Sequence, residues 1–253
     1  MFSMKTHTIS VVLPCYNEAA IIERTILQVI NWMKEYNIHG EIIVVDDGSK
    51  DGSDKLIDSL HRQLNGKLTI LHHAHNKGYG AALRTGCDAA KMDVIAFMDS
   101  DGQFNIRELN AMLPLLESIE MVAGIRKERS DNMVRKTNAL LWNTLMQWTL
   151  RLHAKDIDCG LKIFNRHIWP TIRPVFATGN FFGAELFFRL ERNNIPYAQV
   201  PVTHYWRRHG KASGARLHVI YRAFKEFSLL LWDIWLSKSS AQPRLRNRTL
   251  AHE

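Results

Sequence analysis

Cysteine is scarce in this 253-residue chain: Cys15, Cys87 and Cys159 are the whole supply, odd in number and without a C-x-x-C spacing. That excludes a disulfide scaffold and a cysteine-built metal site, and the three read as reduced thiols of a cytosolic chain. Long apolar runs are also missing. No stretch approaches eighteen uninterrupted apolar residues, so no spanning helix is expected, and the opening MFSMKTHTIS lacks the apolar core of a secretory signal. Repeats of fixed period and low-complexity tracts are absent, which sets aside repeat architectures. Acidic residues are the smaller charged class, 25 against 33 Lys and Arg, for a net charge of +8. The excess is uneven: residues 203–253 hold ten Lys/Arg and three Asp/Glu. Such a tail points to an anionic partner, an acidic membrane surface or nucleic acid, with a solvated basic face as the plain alternative. No aromatic-basic RNA motif accompanies it, so no nucleic-acid partner is expected.

What is present is an ordinary globular composition, 46% apolar and 23% charged, long enough for one large domain with an appendage. The first half alternates between strand and helix signals. TISVVLP (8–14), EIIVVDD (41–47), KLTILHH (67–73) and DVIAFMD (93–99) are short apolar runs. Between them lie an amphipathic stretch (18–36), the segment SKDGSDKLIDSLHRQL with Ser and Asp as helix caps, and AALRTGCDAAK after a glycine-containing turn. Strands separated by helices imply βαβ units and a mainly parallel sheet. In such sheets ligands bind beyond the carboxyl ends of the strands. Three polar segments stand at those ends: Pro14-Cys15-Tyr16-Asn17-Glu18, Asp46-Asp47-Gly48-Ser49 and Asp99-Ser100-Asp101. Asp99 and Asp101, alternate residues leaving a strand with Gly102 behind them, can aim two carboxylates at one point. Carboxylates in pairs suit a hard cation, Mg²⁺ or Mn²⁺, that keeps positions open for substrate phosphates. Gln103 can add an amide oxygen.

VVLPCYNEAAIIERTI, IIVVDDGSKDGS, NKGYGAALRTG and FMDSDGQF resemble, in order and spacing, the family-2 inverting glycosyltransferases with the GT-A fold, and most nearly their dolichyl- and polyprenyl-phosphate branch. The resemblance covers roughly residues 8–214. It implies an α/β fold, with a GT-A domain over residues 1–215 and an amphipathic helix and basic tail over 216–253. By the same resemblance Pro14, Tyr16 and Glu18 line a nucleotide pocket, Val44 and Asp46 lie beside the base, and Asp99, Asp101 and Gln103 hold a metal against the donor diphosphate. Helix capping is the alternative for Asp46 and Asp47. Asn76, Lys77 and Gly78 match a family glycine turn. Arg126 and Arg135, in AGIRKERSDNMVRK, match arginines that meet diphosphate or acceptor phosphate, as guanidinium suits bidentate anion contact. DIDCGLKIFNR matches a further family segment, and the resemblance implies that Asp158 and Gly160 lie near the acceptor. VPVTHYWRRHGKASG resembles the closing segment, where the family's Ser-Lys is replaced by Ser213-Gly214, so Arg207 or Lys211 stands in as the closing cation. His204 and His209 are structural or anion-binding by this reading, not metal ligands.

A hydroxyl nucleophile needs a general base. Family-2 enzymes acting on sugar hydroxyls carry a Glu-Asp pair near the acceptor, whereas this chain has Ala184-Glu185 and no following Gln-x-x-Arg-Trp. A lipid phosphate is already ionised and needs cations. The expectation is therefore transfer from a nucleotide diphosphate sugar (GDP or UDP) to an isoprenoid phosphate. Asp101, Arg126, Glu185 and Arg207 are the catalytic candidates, and Glu185 is either partnered in the core or a base. Leu141, Leu145, Trp148 and Leu152 recur at helical spacing in residues 139–152. In residues 217–238, Ile220, Phe224, Phe227, Leu231 and Trp235 form one side and Arg222, Glu226 and Asp233 the other. Such faces, with flanking basic residues and PRLRNR, fit a peripheral enzyme on the cytoplasmic membrane surface. A soluble glycan, protein or small-molecule acceptor, or a catalytically silent protein, are the alternatives.

Overall fold

The computed structural model describes residues 8–64, 68–127, 133–207 and 217–240, with the side chains of 133–140, 217–218 and 237–240 outside the description. Strands β1 (Ile9–Cys15), β2 (Gly40–Asp46), β3 (Leu68–His72), β4 (Val94–Met98), β5 (Met121–Arg126), β6 (Leu161–Asn165) and β7 (Tyr197–Val202) form one sheet in the order β3-β2-β1-β4-β6-β5-β7. Helices α1 (Ile22–Glu35), α2 (Ser53–Gln63), α3 (Tyr79–Ala89), the single turn α4 (Leu109–Met112), α5 (Met133–Leu150), the short α6 (Trp169–Ile172), α7 (Phe182–Arg192) and α8 (Leu217–Ser240) cover it.

The sheet is buried on both faces, which is why its first strands read as unbroken apolar runs. Alternate residues serve opposite layers. Val12, Ile43, Val45, Ile95 and Phe97 pack under α3, α5 and α7. Val11, Leu13, Ile42, Val44, Ala96 and Met98 pack under α1 and α2. Each fully buried Val, Ile or Leu contributes about 1.5–3 kcal/mol. On α1 the covered side is Ile22, Ile26, Val29, Ile30 and Trp32, and its first turn opens where the Ile21 and Ile22 N–H groups donate to the Glu18 carbonyl. Small residues let α3 lie close to the sheet: a Cβ on Gly86 would come within 2.3 Å of Val12.

β1 pairs in parallel with β2 and β4, and β2 with β3, as the βαβ pattern requires. β6 runs antiparallel to both β4 and β5, and β7 parallel to β5. So β5 and β7 run the same way as β1, and their carboxyl ends, near Arg126 and residues 203–207, reach the edge that holds Asp99. The antiparallel β6 begins at that edge, bringing residues 156–160 there as well. Order reverses about β1, since the chain goes from it first to β2 and later to β4. A crevice at the β1/β4 ends is the position where such sheets bind ligands.

Helix α8 belongs to the core as well as the surface. Ala223, Glu226, Phe227 and Leu230 are buried, a spacing of three, one and three that marks one helical stripe. The expected division of this helix is thereby corrected: Phe227 faces inward and Glu226 sits on the same buried side, while Ile220, Phe224, Leu231 and Trp235 are exposed. On α5, Leu141 and Trp148 are exposed, whereas Leu152 lies beyond the helix end and is buried.

Candidate active site

The loop after β1 is braced by the loop after β2. The N–H groups of Asn17, Glu18 and Ala19 donate to Ser49 Oγ (2.9 Å), Ser53 Oγ (2.9 Å) and Asp51 Oδ2 (3.0 Å). Asn17 returns a bond, its Oδ1 accepting from Lys50 N–H at 2.8 Å. The expectation that Ser and Asp here are simple helix caps is corrected in part. Asp51 does accept from the Ser53 N–H at the start of α2, yet the helix begins behind Gly52 and the same side chains hold the neighbouring loop. Of the three residues expected in a nucleotide pocket, Tyr16 is exposed, whereas Glu18 is largely covered and Pro14 is buried in β1. The Pro14 carbonyl ties β1 to the β4 end by accepting from Ser100 Oγ at 2.5 Å.

Asp99 and Asp101 leave β4 side by side. Gly102 follows with φ +77°, a left-handed conformation that favours glycine, and the Gln103 N–H closes the turn on Asp101 Oδ1 (3.0 Å). The Asp99 carboxylate is wedged. Tyr79 Oη donates to its Oδ1 at 2.7 Å, and a Cβ on Gly160 would stand 2.0 Å from Oδ2, so only glycine fits there. Gln103 Nε2 donates to the Tyr205 carbonyl (3.0 Å) and the Tyr205 N–H returns to the Gln103 carbonyl (2.9 Å), zipping the segment after β7 onto this turn. That segment delivers Arg207, whose guanidinium donates to Glu18 Oε1 through Nη2 and to Asp101 Oδ2 (3.3 Å) through Nη1. Arg207 thus joins the β1 loop to the β4 turn. Lys211, the other candidate, lies outside the described residues.

Burial dominates the electrostatics here. It pushes Glu18 up to about 7, with Arg207 opposing and Asp101 adding to the rise. Burial and then the charge of Asp99 push Asp101 up to about 6, again against Arg207. Asp99 is raised too, chiefly by burial. Arg207 opposes the rise at all three carboxyl groups, and Lys162 and Arg126 also act on Asp99, yet all three groups stay raised, so further positive charge would be stabilised there. All offered atoms are oxygens, the donor type of Mg²⁺ or Mn²⁺. Among the described residues no group of three or more His, Cys, Asp or Glu could hold a metal unaided. The set fits a cation that completes its shell from a bound diphosphate.

At the β2 end, Asp46 is 3% exposed. Its Oδ1 accepts from the Ser49 N–H at 3.1 Å and its Oδ2 lies 3.1 Å from His72 Nδ1, while His72 Nε2 meets Asp58. His72 is the member of this chain that sequence reasoning missed and that reaches solvent. Val44, expected beside a base, is fully covered in the core, because it points into the layer under α1 and α2. Asp47 accepts from the Lys77 and Gly78 N–H groups (2.9 and 2.8 Å) and pairs with His73. It is a strut for the glycine turn before α3.

In the second half two expectations change. Arg126 ends β5 at the site edge, but its Nε and Nη2 form a bidentate pair with Asp156 at 2.8 and 2.7 Å, both side chains about nine-tenths buried. Its charge is compensated within the protein. Glu185 is 0% exposed, and its carboxylate accepts from the N–H groups of Val175 (2.7 Å), Phe176 (3.0 Å) and Ala177 (2.7 Å) and from Arg189. A carboxylate so engaged does not face the cleft, and the base role is corrected to that of a loop anchor. Arg135 falls within α5, with its side chain outside the description. Lys162, 2% exposed on β6, was not singled out. Its ammonium donates to the carbonyls of Ile157 and Cys159, holding the loop that carries Asp158 and Gly160.

The chain is similar to an undecaprenyl-phosphate 4-deoxy-4-formamido-L-arabinose transferase of Aeromonas hydrophila, 29% identical over 213 residues covering 84% of this chain and 64% of that protein. It is 28% identical to a dolichyl-phosphate beta-glucosyltransferase of Dictyostelium discoideum over 77% of this chain and 65% of that one. The chain therefore spans just under two thirds of the length of these two relatives. Among solved structures it resembles glucosyl-3-phosphoglycerate synthase from Mycobacterium tuberculosis in complex with Mg²⁺ and uridine diphosphate, with a TM-score of 0.65 and 22% identity over 87% of this chain and 79% of that one. Mannosyl-3-phosphoglycerate synthase from Rubrobacter xylanophilus gives a TM-score of 0.62 at 19% identity over 97% and 79% of the two chains. These likenesses carry the fold, GT-A as expected. Residues 10–175 match the family model described as "Glycosyl transferase family 2", and the chain belongs to that family.

Proposed function

We propose that the protein transfers one sugar from a nucleoside diphosphate sugar to a polyprenyl phosphate, with inversion at the anomeric carbon. The observation that carries this reading is the engagement of Glu185. The carboxylate best placed by sequence to act as a base is fully buried and bonded to three backbone N–H groups and Arg189. A hydroxyl acceptor would need a base to remove its proton. A phosphate monoester is ionised near neutral pH and attacks without one. Its oxygen forms the new bond to the anomeric carbon as the bond to the diphosphate breaks, the nucleoside diphosphate departs, and no proton is transferred. Relatives named for undecaprenyl and dolichyl phosphate support the acceptor class.

Asp99 and Asp101 would hold Mg²⁺ or Mn²⁺, which would stabilise charge on the departing diphosphate. Gln103 would keep the Asp101 turn in place. Arg207, already bridging Glu18 and Asp101, would close over the diphosphate. Tyr16 and the Asp46–His72 pair would border the base. Arg126, paired with Asp156, would hold the end of β5 on the acceptor side, and Arg135 would act there. The exposed apolar side chains of α5 and α8, including Trp148, Tyr221, Trp232 and Trp235, supply a face for the membrane interface. Among the described residues no helix is long and apolar enough to cross a membrane. Residues 1–215 would form the catalytic domain and 216–253 its membrane-facing extension.

The test is incubation with Mn²⁺, radiolabelled UDP- and GDP-sugars and a polyprenyl phosphate in detergent. A labelled lipid with matching release of nucleoside diphosphate is expected from one donor. Nucleotide release without any lipid product would refute the acceptor.

A further inference from the structure

The turn Asn76–Tyr79 lies between two parts of the molecule that the chemistry described so far does not connect. On one side Asp47 accepts from the Lys77 and Gly78 N–H groups. On the other, α8 reaches over: Arg222 Nη1 donates to the Lys77 carbonyl at 3.3 Å. Glu226 accepts from the Thr178 N–H (3.0 Å), Thr178 Oγ1 (2.5 Å) and the Gly179 N–H (3.1 Å). Thr178 in turn touches the turn, its carbonyl accepting from the Ala81 N–H at 3.0 Å. The fit is tight. Gly78 has φ +112°, and a Cβ there would stand 2.4 Å from the Thr178 carbonyl oxygen and 2.7 Å from Arg222 Nη1. Out of this clamped turn Tyr79 projects its hydroxyl to Asp99 Oδ1. Asp99 has little other freedom, because its N–H is bonded to the Gly160 carbonyl and Gly160 closes on Oδ2.

We propose that Tyr79 is a positioning residue for Asp99, aiming its carboxylate at the diphosphate–metal site, and that α8 seats the Tyr79 turn through Arg222 and Glu226. The inference rests on the reading of Asp99 and Asp101 as a metal–diphosphate site. Tyr79 touches no reacting atom. Its bond goes to Oδ1 alone and fixes the plane of the carboxylate, while Oδ2 lies against Gly160, where the missing side chain leaves it room. The helix that carries the exposed aromatic face is then mechanically part of the donor site, two residues of turn away from a carboxylate that binds it.

Titration calorimetry of UDP and of GDP, each with Mn²⁺ and with EDTA, tests this on the full chain. The readout is the gain in affinity that Mn²⁺ confers. In Tyr79→Phe, which keeps the ring, that gain should fall about tenfold, as for loss of one hydrogen bond to a charged group, with the affinity in EDTA unchanged. Arg222→Gln should reduce the gain in the same direction by about threefold, and it carries the test if the Tyr79 variant does not fold. An unchanged Mn²⁺ gain in Tyr79→Phe overturns the proposal. Equal loss with Mn²⁺ and EDTA also overturns it, since that is damage to the pocket as a whole. A normal gain in Arg222→Gln beside a reduced one in Tyr79→Phe removes α8 from the proposal. No Mn²⁺ gain in the unaltered protein refutes the metal–diphosphate reading itself, and this proposal with it.

Discussion

Replacing Glu185 separates the two roles a buried glutamate can have. As an anchor, it accepts from the N–H groups of three consecutive residues, 175–177, and pairs with Arg189 one helical turn away. Glu185→Ala strands those donors and leaves the partly covered guanidinium of Arg189 without its carboxylate. Bonds to a charged acceptor contribute about 1.5–3 kcal/mol each and are not additive, and removing one member of a buried ion pair costs about 3–5 kcal/mol. We expect about 4 kcal/mol of lost stability. For a chain of this size each kcal/mol moves Tm by about 2–4 °C, so Tm should fall by about 8–16 °C. Glu185→Gln keeps one acceptor oxygen and should cost about half as much. Thermal melts followed by circular dichroism give the stability, and transfer assays at least 15 °C below each variant's own Tm, roughly the span of the larger shift, give the activity. An anchor predicts that Glu185→Gln retains kcat within about threefold once folded, since no proton passes through it. A Glu185→Gln protein that melts like the parent and transfers no sugar would refute the reasoning and restore Glu185 as a base.

The remaining predictions concern other parts of the site. Asp156→Asn should destabilise the protein by about 3–5 kcal/mol in urea unfolding, because the Arg126 charge is left buried and unpaired; adding Arg126→Met to it should recover most of the loss, and no recovery would contradict the pairing argument. Burial works to lower the pKa of His72, but the Asp46 and Asp58 carboxylates outweigh it and raise it. A raised folded pKa means the stabilisation is complete below the ordinary histidine value, about 6.5, and is lost as pH rises through the folded value. The Tm difference between the parent and His72→Gln should therefore be largest near pH 6 and shrink toward pH 9, and a difference that grows with pH would contradict it. Trp232→Ala/Trp235→Ala should weaken co-sedimentation with anionic phospholipid vesicles by at least about tenfold while leaving Mn²⁺-dependent UDP or GDP binding intact; unchanged sedimentation would remove α8 from the membrane face.

The parts of the fold legible in sequence are those where burial is uniform. β1, β2 and β4 are covered on both faces, so their apolar runs stand out, and strand direction then places three polar segments at one edge. β6 hides because Lys162 interrupts its run, an ammonium that donates to carbonyls of its own loop and lies over the Phe97 and Phe187 rings. β7 is an edge strand with mostly half-buried residues and Pro201, a weak pattern that edges tolerate. The acidic turn of the site was visible for the same reason as the strands, being local. Partnerships across the chain were not. Arg207 meets a residue 189 positions away, Arg126 one 30 positions away and Tyr79 one 20 positions away, and no spacing rule connects such pairs. Charge type identified Arg126 and Glu185 as chemically capable, but only packing decides whether a charge faces the cleft or a buried partner.

The central claim is that the nucleophile is a phosphate and that the site needs no base. Pairing a polyprenyl phosphate with the corresponding polyprenol, at equal concentration and with the same nucleotide sugar and Mn²⁺, tests it directly. The account predicts glycosyl transfer to the phosphate and none to the alcohol. Transfer to the alcohol at a comparable rate would contradict it.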